Sequence, residues 1–160
     1  KHEQTYARIW EETRKVIGYL RGAEAPIPDI LAITARHVLE REIVKELDRL
    51  VALGTVPDRV FELVDEARGL GLAVDLNAGR PAMRDAVRLA IAAVEREPSP
   101  ERVTDAVNLI ETAGRLAVGC GRWAAQNQFF DLWRGRPDAH AVLAPLATAL
   151  RFDLSPGARR

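Results

Sequence analysis

The sequence predicts an all-α fold, a single bundle of about six or seven helices spanning residues 1–154. Three observations carry that expectation. Apolar residues recur at spacings of three and four in almost every segment, which places them on one stripe of a helix. Glycine and proline punctuate the chain between those segments, where helices stop and restart. No run alternates apolar with polar residues as a half-buried strand would. A chain of 160 residues suits one domain.

The elements follow in order. In TYARIWEETRKVIGYL the positions Tyr6, Ile9, Trp10, Thr13, Val16, Ile17 and Leu20 share a stripe opposite Glu, Arg and Lys. Arg21–Gly22 ends that helix, and AEAPIP is extended because a residue before proline avoids the helical region. Pro28–Asp29 opens the longest predicted helix, to about Leu53, with Ile30, Ile33, His37, Ile43, Leu47 and Leu50 inward and Gly54 as its stop. Pro57–Asp58 starts a third helix through Leu70, closed by Gly71, and LAVDLNAGRP is a loop. Pro81 begins a fourth helix to about Glu97. Ser99 is a natural N-cap for a fifth, with Pro100 at its first position and a run to about Leu116. Gly119 and Gly121 mark a turn before a sixth helix, RWAAQNQFFDLW. A seventh runs from Ala139 to Leu150 with Pro145 as a point of kinking, and residues 155–160 form a disordered tail.

One internal echo links three of these ends. LVDEARGLGL from Leu63, LIETAGRLAV from Leu109 and LAPLATALRF from Leu143 share Leu, Ala four on, Leu seven on and an aliphatic or aromatic residue nine on. Offsets of 46 and 34 residues are too irregular for a repeat array. Each stretch reads better as a helix exit, where a residue folds back onto the last apolar turn.

Composition narrows the function classes. Lys plus Arg equals Asp plus Glu at 23 each, so no basic excess points to nucleic acid. No apolar run approaches the roughly 20 residues of a membrane span. One cysteine, Cys120, leaves no intramolecular disulfide and points to a cytoplasmic setting. The chain starts at Lys1 and enters a helix almost at once, so we expect a piece of a longer protein.

The chain assembles no catalytic set. His2, His37 and His140 are far apart, and His37 lacks the second Glu-x-x-His helix of a carboxylate-bundle metal site, so it reads as a partly buried helix histidine. Cys120 has a nearby cation in Arg122 but no neighbouring histidine as base, and reads as a small buried cysteine. Pairs such as Glu11–Glu12 and Asp65–Glu66 are solvated helix faces. We expect no catalytic residue, no metal and no cofactor.

RWAAQNQFFDLW is the one unusual stretch. On a helix, Trp123, Gln126, Asn127, Phe130 and Trp133 (or Arg134) follow one stripe, and Phe129, Leu132 and Trp133 form an adjacent ridge. A pure core face seldom carries Gln–Asn, because each buried amide needs several partners. Aromatic plates with amides suit sugars, the ring face meeting the plate and the hydroxyls meeting the amides. The competing reading has Trp123, Phe130 and Trp133 filling the core while Gln126 or Asn127 caps a loop.

At this stretch the pattern W-x-A-Q-N-x-F/Y-F/Y, here Trp123, Ala125, Gln126, Asn127, Phe129 and Phe130, resembles the C-terminal helical domain of unknown function found in a branch of glycoside hydrolase family 57. PIPDILAITARHVLEREIVKELDRL is similar to another helix of that domain through Pro28, Leu31, Ala35, Val38, Leu39, Arg41, Ile43, Glu46 and Leu47, as is Val107–Trp123 to the helix leading into the W-x-A-Q-N element. The resemblance covers most of residues 26–154. It implies an N-terminal catalytic barrel in the same polypeptide, acting on α-glucans or related oligosaccharides, against which the helical domain packs. By that analogy Trp123, Gln126, Asn127, Phe130 and Trp133 face the barrel or a glycan, and a dimer through the same face could form when the domain is isolated. The glycine-rich LAVGCGRW departs from the pattern. An alternative is a free-standing helical module whose aromatic patch binds a protein partner.

Overall fold

The structure, a computed structural model, describes the backbone of residues 2–152 and the side chains of residues 10–152. The tail at 155–160 and the side chains of His2, Tyr6 and Ile9 lie outside the described residues. The fold is all-α. The helices are α1 (His2–Gly22), α2 (Asp29–Leu47), the single-turn α3 (Leu50–Leu53), α4 (Asp58–Gly69), α5 (Arg80–Arg96), α6 (Pro100–Arg115), α7 (Arg122–Gly135) and α8 (His140–Leu150). Short 3₁₀ turns at Asn77–Gly79 and Pro137–Ala139 lead into α5 and α8. The described residues contain no strand.

The chain divides into two compact units. One comprises residues 1–46 and 57–76, the other residues 47–56 and 77–160. In the first, α1, α2 and α4 bury Ile17, Ala35, Val38, Leu39, Ile43, Val60, Leu63 and Ala67. Arg14 Nε on α1 lies 2.6 Å from Glu66 Oε1 on α4. That oxygen is buried and accepts no well-aligned hydrogen bond, so the contact is one of charge. The Asp75 amide donates to Glu40 Oε1 at 2.7 Å and holds the segment after α4 against α2.

Two expectations about α2 are corrected here. The predicted continuous helix to Leu53 breaks at Asp48–Arg49, and Leu47 and Leu50 on either side of the break are both fully buried. The inward stripe is also different. Ile30 and Ile33 are 69% and 57% exposed, and His37 is exposed rather than partly buried. The buried stripe is Ala35, Val38, Leu39 and Ile43, at the helical spacing i, i+3, i+4, i+8. Aliphatic residues occupy two faces of α2, and spacing alone does not say which of them turns inward. In α1 likewise Thr13 and Ile17 are buried while Val16 is not.

The second unit is the α5–α8 bundle with α3. Its fully buried side chains include Leu50, Met83, Ile91, Phe129, Leu143, Leu146 and Leu150. The Ser99 hydroxyl accepts from the Arg102 amide and caps α6 as expected, and α8 continues through Pro145.

The echoed helix exits share one geometry. Leu72, Val118 and Phe152 each donate their backbone amide to the carbonyl five residues back, on Ala67, Ala113 and Ala147. The residue before each, Gly71, Ala117 or Arg151, is left-handed. This is the Schellman closure, and the residue nine on from the leucine is the one that folds back. Ala25 repeats it onto Leu20 after left-handed Glu24, an instance the echo does not reveal.

Candidate functional site

α7 begins where a glycine is required. Gly121 is left-handed, and a Cβ there would sit 2.9 Å from Arg84 Cγ on α5. The helix therefore starts at Arg122, and the glycine-rich LAVGCGRW has a packing reason. Cys120 beside it is buried and unpaired, as expected for a small core cysteine.

From that start the helical period divides the side chains sharply. Ala125, Phe129 and Leu132 turn inward, with Phe129 fully buried. Directly opposite stand Trp123, 76% exposed, and Phe130, 43% exposed, with exposed Asn127 and Arg134 between and beyond them. The Arg134 guanidinium carbon lies 5.4 Å from the centre of the Phe130 ring, a cation–π contact. Gln126 and Trp133 occupy the margin of this face and are half-buried.

The marginal residues have internal partners. Gln126 Nε2 donates to the Leu150 carbonyl at 2.8 Å and satisfies one of the open carbonyls at the end of α8. Gln128 Nε2 donates to the Arg88 carbonyl on α5 at 3.3 Å. Trp133 stacks on His140, with centroids 3.7 Å apart and planes 5° from parallel. His140 Nε2 is 2.8 Å from the Trp133 carbonyl, which requires the ring to carry its proton there. Phe129 meets Trp133 at 5.7 Å and Phe152 edge-on at 5.2 Å, and Phe130 lies 6.1 Å from Phe152.

The five residues singled out from the sequence thus fall into two groups. Gln126 and Trp133 brace α7 against the following turn and α8. Trp123, Asn127 and Phe130 form a surface. The core of α7 is filled by Ala125, Phe129 and Leu132, not by Trp123 and Phe130, and only the capping half of the competing reading describes Gln126. Sequence reasoning undervalued Arg134, His140 and Phe152. Arg134 was visible as the residue four on from Phe130, where a helix brings two side chains together. The other two reach α7 only through the folded turn and the α8 exit.

Chemically, the surface offers an exposed indole, a phenyl ring with a guanidinium over it, and a carboxamide. Such a set can stack on a ring and hydrogen-bond hydroxyls, or anchor a protein partner. Among the described residues no cluster of three or more His, Cys, Asp or Glu side chains could hold a metal ion. No helix among them is long and apolar enough to cross a membrane. Comparison with known protein families, curated proteins and solved structures finds no match for this chain.

Proposed function

We propose that this chain is a non-catalytic helical accessory domain of a family-57-like carbohydrate-active enzyme. In this reading the outward face of α7 contacts the catalytic barrel and completes the rim of its glycan cleft. The observation that carries it is Trp123, a large apolar ring held 76% exposed at the start of a well-packed helix. Phe130, Asn127 and Arg134 extend that ring into a patch, in which Trp123 and Arg134 are of the residue types that dominate binding hot spots. The barrel and the glycan come from the W-x-A-Q-N resemblance, and the contact surface from the burial pattern. The domain supplies recognition, and the paired carboxylates that cleave the glycan belong to the barrel.

The test is isothermal titration of the whole chain with maltooligosaccharides, with mannooligosaccharides and with a family-57 catalytic barrel supplied in trans. Binding to the barrel or a glycan that Trp123→Ala abolishes is the expected result. Absence of binding to all of them overturns the proposal. A second reading, a free-standing protein-interaction module, is favoured by the exposed aliphatic residues Ile30 and Ile33 on α2, which suit a protein surface and not a sugar. It predicts that Ile33→Lys, and not Trp123→Ala, abolishes partner binding.

A further inference from the structure

A second site-like feature lies apart from the outward face of α7. Between α6 and α8, at the start of α7, is an open groove of about 500 Å³. That is within the range of small-molecule sites. Val107 and Ile110 of α6 and Pro145 and Ala149 of α8 give it apolar walls. Arg122, Arg151 and Glu111 are the charged residues that line it.

The arginines mark its chemistry. Arg122 Nε is buried and has no hydrogen-bond partner. That nitrogen is closed to solvent, so Arg122 lines the groove through the rest of its side chain. Among the described residues neither Arg122 nor Arg151 pairs with a carboxylate, whereas Arg102 of α6 pairs with Glu97 at 2.6 Å. Two guanidiniums against one carboxylate leave the groove locally positive in a chain whose formal net charge is zero. A planar guanidinium suits a carboxylate or phosphate, since it presents parallel donors to two oxygens at once.

We infer that this groove binds a small organic anion, a carboxylate or phosphate head on a short apolar body. The head meets Arg122 and Arg151, and the body lies along Ile110, Pro145 and Ala149. Glu111 opposes the head and sets an upper bound on affinity. The site is independent of Trp123 and of any glycan.

The variants separate binding from folding. Arg151 occupies a left-handed position, φ 55°, which glycine adopts without strain. Arg151→Gly should therefore raise the melting temperature by about 2–4 °C while removing one guanidinium from the groove. Arg122→Lys keeps the charge and removes the planar guanidinium. The experiment is amide NMR titration of the full chain with acetate, hexanoate, inorganic phosphate and hexyl phosphate up to about 10 mM, a range that reaches millimolar Kd values. Expected are saturable shifts of the Ile110 and Ala149 amides with hexanoate or hexyl phosphate. Arg122→Lys and Arg151→Gly should each weaken this binding about tenfold, and Glu111→Gln should tighten it severalfold. The two heads distinguish a carboxylate from a phosphate ligand. No saturable shift with any of the four, or binding unchanged in both Arg122→Lys and the better-folded Arg151→Gly, overturns the inference.

Discussion

Helices α6 and α7 are close in length, 16 and 14 residues, and belong to the same unit, yet they meet solvent in opposite ways. α6 opens on a Ser99 cap and a first-position proline, and buries Val103, Ala106, Leu109, Ile110 and Ala113, with Val107 half-buried at the edge of that stripe. α7 opens on a left-handed glycine without a side-chain cap, buries three residues, and displays a tryptophan and a phenylalanine on its far side. In α6 the apolar residues are just enough to cover one stripe. In α7 they exceed what the core accepts, and the surplus is the candidate surface. Under the proposed reading the second aromatic face of α7 meets a partner, whereas α6 has only its core to cover.

The contrast can be broken most severely from the inside. Phe129→Ala removes a fully buried ring that packs on Trp133 and Phe152, and should cost about 3–5 kcal/mol in denaturant unfolding. Trp123→Ala, six residues away on the opposite face, should change stability by less than about 0.5 kcal/mol in the same experiment. Equal losses would place both rings in the core.

Next in size is the entry to α7. Gly121→Ala combines a left-handed backbone with a Cβ pressed on Arg84, and should cost about 1–3 kcal/mol. The corresponding change at the entry to α6, Ser99→Ala, should cost about 1 kcal/mol by removing the cap on the Arg102 amide. Urea unfolding of the two variants gives the ranking, and an insensitive Gly121→Ala would mean that the turn is not fixed by packing on α5.

The smallest effect is electrostatic. The Glu101 carboxyl in the first turn of α6 accepts hydrogen bonds from its own backbone amide and from Ser99, which hold its pKa below the ordinary carboxylate range. A depressed folded pKa stabilises above the unfolded value, and that contribution disappears as pH falls through the folded one. A ¹³C titration of the wild type should show Glu101 ionising at lower pH than an ordinary glutamate, and Ser99→Ala should move it back up. An unmoved titration would show that Ser99 does not contribute.

Local chemistry made much of this fold legible. The Ser99–Pro100 start, the Gly54 and Gly71 stops and the three echoed exits all depend on a few adjacent residues, and each formed where the sequence indicated it. Ile30, Ile33 and His37 show where the reading stopped, because α2 carries two aliphatic faces and only packing with the rest of its unit selects between them. The candidate surface was half legible for the same reason. The period grouped Trp123, Gln126, Asn127, Phe130 and Trp133, but the separation of Gln126 and Trp133 depended on the Leu150 carbonyl and the His140 ring, which come from 24 and 7 residues further along the chain. The Arg122–Arg151 groove had no sequence signal, because it exists only once the α8 exit returns beside the start of α7.

The most direct test of the central claim is isothermal titration of a family-57 catalytic barrel with this chain and with its Trp123→Ala variant. If the outward face of α7 is the contact surface, the wild type binds and the variant, with unchanged melting temperature, binds at least about 30-fold more weakly, as expected for a hot-spot tryptophan. Equal affinity of the two chains would contradict the account.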